Sequence, residues 1–195
     1  NVPMLLLEDD DDDAPVVVQL YPMVLRNEHS GGKGSRKFKS RKRRRLESNS
    51  AEDDTATSTT APDNNRVLEP FPTIYWLTHP KLHRLISQLE LEGLGVQLEK
   101  KLECDTDAKT RVIQANVGYG QERWDLLTET DAALIRERQW NAAFTRRGVA
   151  GNGNPLAVKC LHAHVAHYLS DGKGSTDNVI GEWVMEEIYK RQETK

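Results

Sequence analysis

Residues Thr73–Gly93 read TIYWLTHPKLHRLISQLELEG, and the period of their apolar side chains changes partway along. Thr73–Leu77 is β-branched and aromatic, the composition of a short strand. From Pro80 onward Leu82, Leu85, Ile86 and Leu89 fall on one helical face, with Thr78 placed to cap the start and Gly93 and Gly95 to end the run. A strand that passes straight into a helix of this period sets the expected class: mainly α, a bundle of about five helices with a small two-stranded β element.

Upstream, Pro15–Leu25 (PVVVQLYPMVL) has the same strand composition, with Pro22 confining it to an edge or interrupting it. The two strands are expected to pair near Val16 and Ile74, everything between them being looped out. Residues 27–66 are rich in Ser, Thr, Asn, Asp, Gly and Lys/Arg, and bury too little apolar area to offset the entropy of ordering. They are read as a disordered charged insertion, and residues 1–14 as a disordered acidic tail. The domain then comprises the strand at 15–26 and the helical part at 67–195.

Downstream, Val96, Leu98 and Leu102 suggest a short amphipathic piece, and Ala108–Asn116 looks helical until Gly118 and Gly120 weaken it. The longest predicted helix runs from about Thr130 to Arg147. Gly148–Asn154 breaks it, and Asn154 followed by Pro155 predicts the cap and first turn of a helix reaching about Ser170. A last helix starts near Asn178, burying Val179, Ile180, Trp183, Val184 and Ile188. There is no internal repeat of the kind a solenoid needs.

Composition fits one core with tails. The hydrophobic fraction is 37% and the charged fraction 29%, lean for a chain folded throughout. The net charge of -3 hides opposed blocks: Glu8–Asp13 is wholly acidic, and Arg36–Arg45 (RKFKSRKRRR) has eight basic residues in ten. That run suits a nucleic acid, an acidic partner or an import receptor, but Phe38 stands alone, so base stacking is not supported. Two cysteines, Cys104 and Cys160, make no disulfide framework and point to a reducing compartment: nucleus, cytoplasm or organelle. No stretch approaches the run of about 18 apolar residues that spans a bilayer, so a soluble protein is expected. Because the chain opens on Asn1, a targeting peptide upstream stays open.

The stretch richest in chemistry is Lys159–His167 (KCLHAHVAH), with one thiol and three imidazoles. On a continuous helix, positions four apart differ by about 40° and positions seven apart by about 20°, which puts Cys160, His164 and His167 on one face. His162 would point roughly 200° away. A zinc site draws a further ligand from a separate element, and His79 is the external candidate. Cys160 is also a candidate nucleophile beside Lys159 and a histidine, with His167 as a possible catalytic partner. Against both stands the plain reading of a small buried apolar cysteine among satisfied histidines. Arg146, Arg147 and Lys159 flank the glycine-rich loop and are candidates to bind a small anion, although neither Walker A nor GxGxxG is present.

The blocks PFPTIYWLTHPKL (Pro70–Leu82), ISQLELEG, VKCLHAHVAH (Val158–His167) and NVIGEWV together resemble the uncharacterised family known as domain of unknown function 501. The resemblance spans the domain but not the insertion. It implies that the position of His79 is commonly cysteine, and that the lysine, cysteine and histidines at Lys159, Cys160, His162 and His167 are typical. A His-for-Cys exchange is one a metal ligand tolerates, so the resemblance implies a site of His79, Cys160, His162 and His167 and demotes His164. The CxCG-like element common near the family's N-terminus has no cysteine here, near Val16–Leu25. No reaction comes with the resemblance.

The expected function is a ligand-binding or regulatory domain whose Cys/His site can hold a metal ion, zinc being the candidate. One alternative is an enzyme, hydrolytic or handling phosphorylated anions in the same pocket. The other is a nucleic-acid-associated protein that binds through its basic linker.

Overall fold

The computed structural model describes residues 15–27, 66–170 and 177–193. Residues 1–14, read above as an acidic tail, the insertion with its basic run Arg36–Arg45, and residues 171–176 lie outside the described residues. The chain divides into two units, Leu25–Glu69 and the remainder. In the smaller unit the described residues belong to strands β2 (Met23–Asn27) and β3 (Arg66–Pro70), which pair as a two-stranded sheet, with Arg26 and Glu69 3.7 Å apart.

In the larger unit, β1 (Val17–Gln19) pairs antiparallel with β4 (Tyr75–Leu77) in the register Val17 to Leu77, Val18 to Trp76 and Gln19 to Tyr75. This is the expected two-stranded element, closed across the whole insertion. Pro22 interrupts the upstream strand, and its carbonyl accepts from the Phe71 amide at 2.8 Å. The described residues of this unit hold seven α-helices: α1 (Pro80–Leu91), α2 (Leu94–Cys104), α3 (Thr106–Asp125), α4 (Glu129–Glu137), α5 (Ala142–Thr145), α6 (Leu161–Tyr168) and α7 (Val179–Glu193). The fold is mainly α, as the sequence predicts.

Several boundaries differ from expectation, each for a local physical reason. Thr78 donates its hydroxyl to the Pro15 carbonyl, so His79 caps α1, its Nδ1 accepting from the Leu82 amide at 3.1 Å. The helix predicted from Thr130 to Arg147 stops at Glu137. Gln139 adopts φ 56°, its amide bonds Arg136 O, and the Trp140 amide bonds Ile135 O, a Schellman ending that normally takes glycine. The longest described helix is instead α3, which runs through Gly118 and Gly120. A Cβ at Gly120 would lie 2.8 Å from the Phe144 carbonyl, so glycine here lets α5 approach α3.

The largest correction concerns α6. Asn154 and Pro155 start no helix: the Asn154 side chain accepts from the Leu156 amide in a local turn, and the Val158 amide is taken by Glu99 of α2 at 2.7 Å. The chain stays non-helical to Cys160, the N-cap of α6, with φ −150° and ψ 114°.

The main core gathers Leu82, Ile86 and Leu89 of α1, Leu98 and Leu102 of α2, Val112 of α3, Leu161 and Val165 of α6, and Ile180, Val184 and Ile188 of α7. Each such fully buried side chain contributes roughly 1.5–3 kcal/mol. α6 packs on β4 and α7, and Gly181 makes the second contact possible, since a Cβ there would meet His164 O at 2.5 Å. This packing sets the N-terminus of α6 between α1 and β4.

Candidate functional site

A pocket of about 360 Å3 opens at that junction, lined by Tyr75, Trp76 and Leu77 of β4, His83 of α1, and Lys159, Cys160 and His162 at the start of α6. Because Cys160 precedes the helix in extended conformation, the helical wheel that separates it from His162 does not apply. Their side chains converge, and Glu90 of α1 joins them: one ligand atom from each of Glu90, Cys160 and His162 lies within 4.8 Å of the others.

Every polar neighbour fixes the His162 ring. Its Nε2 is 3.1 Å from His83 O and 3.2 Å from Ser87 Oγ. The Ser87 hydroxyl proton is directed at that same His83 carbonyl, at 3.0 Å, so both neighbours act as acceptors and Nε2 carries a proton. Nδ1 lies 3.3 Å from Glu90 Oε1, and the carboxylate also accepts from the Leu161 amide at 2.7 Å, occupying an orphan donor of the α6 N-terminus. Nδ1 therefore faces a carboxylate, with the Cys160 sulfur in the same cluster, and the cluster suits a cation: a second proton on the ring or a metal ion. The Cys160 hydrogen bond, then the His83 carbonyl and the Glu90 charge, hold His162 above the ordinary histidine range, against the opposing effect of burial. The His83 ring covers His162 with centroids 4.2 Å apart.

The other residues expected at this site lie apart from the cluster. His79 is buried, with its Nδ1 lone pair engaged by the Leu82 amide. His167 is buried against Tyr75 and Tyr119. Its Nδ1 accepts from Asn178 Nδ2 at 3.1 Å, and its Nε2 lies 4.0 Å from Glu122. His164 donates from Nδ1 to Asn178 Oδ1 at 3.1 Å, the amide orientation being fixed by the Gly181 N–H bond to the same oxygen. Burial pushes His164 down to about 4, so it is neutral near pH 7. These two histidines belong to the α6–α7 packing. Lys159 is exposed at the rim of the pocket, whereas Arg146 and Arg147 line a different hollow.

Sequence reasoning missed Glu90. The available signal was its position: eight residues after Leu82 and four after Ile86, it sets a carboxylate on the edge of an apolar stripe. His83, Ser87 and Glu90 also recur at helical spacing, which puts the three α1 partners of His162 on one side of that helix.

A family model described as "Protein of unknown function (DUF501)" matches residues 9–186. No curated protein and no solved structure matches the chain. Among the described residues, no helix is long and apolar enough to cross a membrane.

Proposed function

Because the chain belongs to the DUF501 family, whose description assigns no activity, its function is read from its own atoms, and we propose a ligand-binding domain in which Glu90, Cys160 and His162 hold a zinc-type ion. One observation carries this reading. Three ligand atoms from two elements approach one another within 4.8 Å, while the far nitrogen of His162 is engaged by a backbone carbonyl. Metal-bound histidines typically donate their other N–H to such an acceptor, which fixes the tautomer. A thiolate, an imidazole and a carboxylate form a donor set that zinc accepts. The 3.3 Å between Nδ1 and Oε1 also matches the edge of a tetrahedron with metal bonds of about 2.0–2.1 Å.

Three protein ligands leave a coordination position on the pocket side, as in zinc sites that bind substrate. When bound, such an ion supplies Lewis acidity toward a ligand oxygen or a water. The chain's own residues do the rest. His83 and Ser87 orient His162, Lys159 offers a cation at the rim, and Tyr75, Trp76 and Leu77 form an apolar wall. These features favour a small, partly apolar anion, and about 360 Å3 is enough space for one.

A second reading, enzymatic, uses the same atoms: Cys160 as the nucleophile of a hydrolytic or group-transfer reaction, His162 as its acid–base partner, and Glu90 orienting the ring. The raised pKa of His162, caused first by Cys160, supports it. Elemental analysis of the purified, tag-free chain separates the two. The metal reading expects roughly one equivalent of zinc or a related divalent metal, lost in Cys160→Ser and His162→Ala with the fold retained. Absence of stoichiometric metal would exclude it and leave the thiol reading, which requires alkylation selective for Cys160 over Cys104.

A further inference from the structure

A second concave surface follows α3. Two hollows, of about 140 Å3 and about 440 Å3, share Asn116, Val117 and Thr145 as lining and so form one groove. Its surface is apolar. Ile113 and Val117, one turn apart on α3, are 42% and 69% exposed, and Trp124 meets Phe144 edge to face, with centroids 5.6 Å apart. Both ends are cationic: Arg146 and Arg147 border the smaller hollow, and the Arg136 guanidinium lies 5.2 Å from the Trp124 ring centroid.

Some arginines of this unit are ion-paired, whereas others, Arg84, Arg136 and Arg138 among them, have no carboxylate partner among the described residues. Arg111 pairs with Glu182, and Arg191 with Glu92 and Glu187. The side chains of Arg146 and Arg147 are exposed and meet no carboxylate among the described residues. A chain with a net charge of -3 has acidic groups to spare for them.

An apolar groove with basic ends selects the reverse pattern, apolar side chains beside carboxylates. The chain contains such a segment: Met4–Leu7 is MLLL, and Glu8–Asp13 is EDDDDD. The other stretches outside the described residues do not qualify. In residues 28–65 the basic run Arg36–Arg45 repels Arg146 and Arg147, and the acidic part beyond it, residues 46–65, has Leu46 as its one large apolar side chain and no apolar run, while 171–176 and 194–195 have no apolar residue. We infer that the α3 groove is the docking site of the chain's own Met4–Asp13 segment, with Met4–Leu7 over Ile113, Val117 and Trp124, and the acidic run against Arg146 and Arg147. Reach permits it. From Met4 to Pro15 an extended chain spans up to roughly 36–40 Å, against a radius of gyration of roughly 15 Å for a domain of this size. The tether raises the segment's effective concentration, and salt weakens the contact by screening exposed charges.

The test uses the 195-residue chain with the photoreactive residue p-benzoylphenylalanine replacing Leu6, irradiated at low salt and mapped by mass spectrometry. Cross-links within one chain to Ile113–Trp124 are expected, with loss of yield at high salt. Arg146→Glu with Arg147→Glu should abolish them without moving the melting temperature, both positions being exposed. Changing Asp9–Asp13 to asparagine, which leaves the groove untouched, should give the same loss. Cross-links to another surface, links only between two copies or to a foreign protein, or links unaffected by either charge change would overturn the assignment.

Discussion

Glu90 Oε1 accepts from the Leu161 amide at 2.7 Å, so a carboxylate on α1 completes the N-terminus of α6, 71 residues further along the chain. The same oxygen lies 3.3 Å from His162 Nδ1. One side chain therefore caps the start of α6 and, in the proposed metal site, would also supply a ligand atom. Glu90→Gln keeps an oxygen for the amide but removes the charge. It should leave the fold within about 1 kcal/mol of wild type and weaken metal binding, as titration calorimetry with zinc would measure. Glu90→Ala should lose both, destabilising by about 1–2 kcal/mol. Equal stability loss in the two variants would show that the carboxylate charge, not the cap, is what the fold needs.

Gly181 sits where α7 crosses α6, and a Cβ there would meet Tyr168 Cβ at 2.4 Å and His164 O at 2.5 Å. Neither neighbour is the flexible end of a side chain. Gly181→Ala should destabilise by about 1–3 kcal/mol despite alanine's better helix propensity. Urea denaturation curves that superimpose on wild type would contradict this packing.

Much of this arrangement was legible beforehand. That the strand-like runs near Val16 and Ile74 pair with each other was expected from their composition, though the register of Val17 with Leu77 was not, and α1, α2 and α7 followed from apolar spacing. What local pattern hid was supplied from distant elements. Asn154–Pro155 has the form of a helix start, but Glu99 takes the Val158 amide and Glu90 takes that of Leu161, which delays the helix to Cys160. Gln139 in a left-handed conformation ends α4 where no glycine announces it. The site was half legible for the same reason: Cys160 and His162 stood out by residue type, but their convergence depends on Cys160 lying outside the helix.

His164 sets a pH dependence. Its pKa is pushed by burial to about 4, against about 6.5 when unfolded. Between these values the unfolded chain binds a proton that the folded chain does not, so stability falls as pH is lowered from 6.5 toward 4. The contribution is about 3 kcal/mol, full above pH 6.5 and gone below pH 4. His164→Asn retains an N–H for Asn178 without titrating, and should flatten this part of the curve. Identical slopes for the two proteins in urea unfolding from pH 7 to 4 would contradict the assignment.

Arg123 is fully buried, donating to the carbonyls of Phe71, Ala143 and Arg147, with its ring neighbour Phe144 4.7 Å away. It joins the entry to β4 with both ends of α5. A lysine cannot present the same planar fork, so Arg123→Lys should cost about 3 kcal/mol, read as a lowered urea midpoint. A variant as stable as wild type would remove the clamp from this account.

Cys104 is exposed and Cys160 half-buried. With metal bound, iodoacetamide should label Cys104 alone, and a chelator should open Cys160 to reaction. Labelling of Cys160 at the same rate with and without chelator would mean that its sulfur is not a ligand.

The most direct test is zinc K-edge X-ray absorption on the intact, metal-loaded chain. The site formed by Glu90, Cys160 and His162 requires one sulfur at about 2.3 Å and nitrogen or oxygen ligands at about 2.0–2.2 Å, with the sulfur shell lost in Cys160→Ser. A zinc shell without sulfur, or a chain that retains no zinc, would contradict the metal centre.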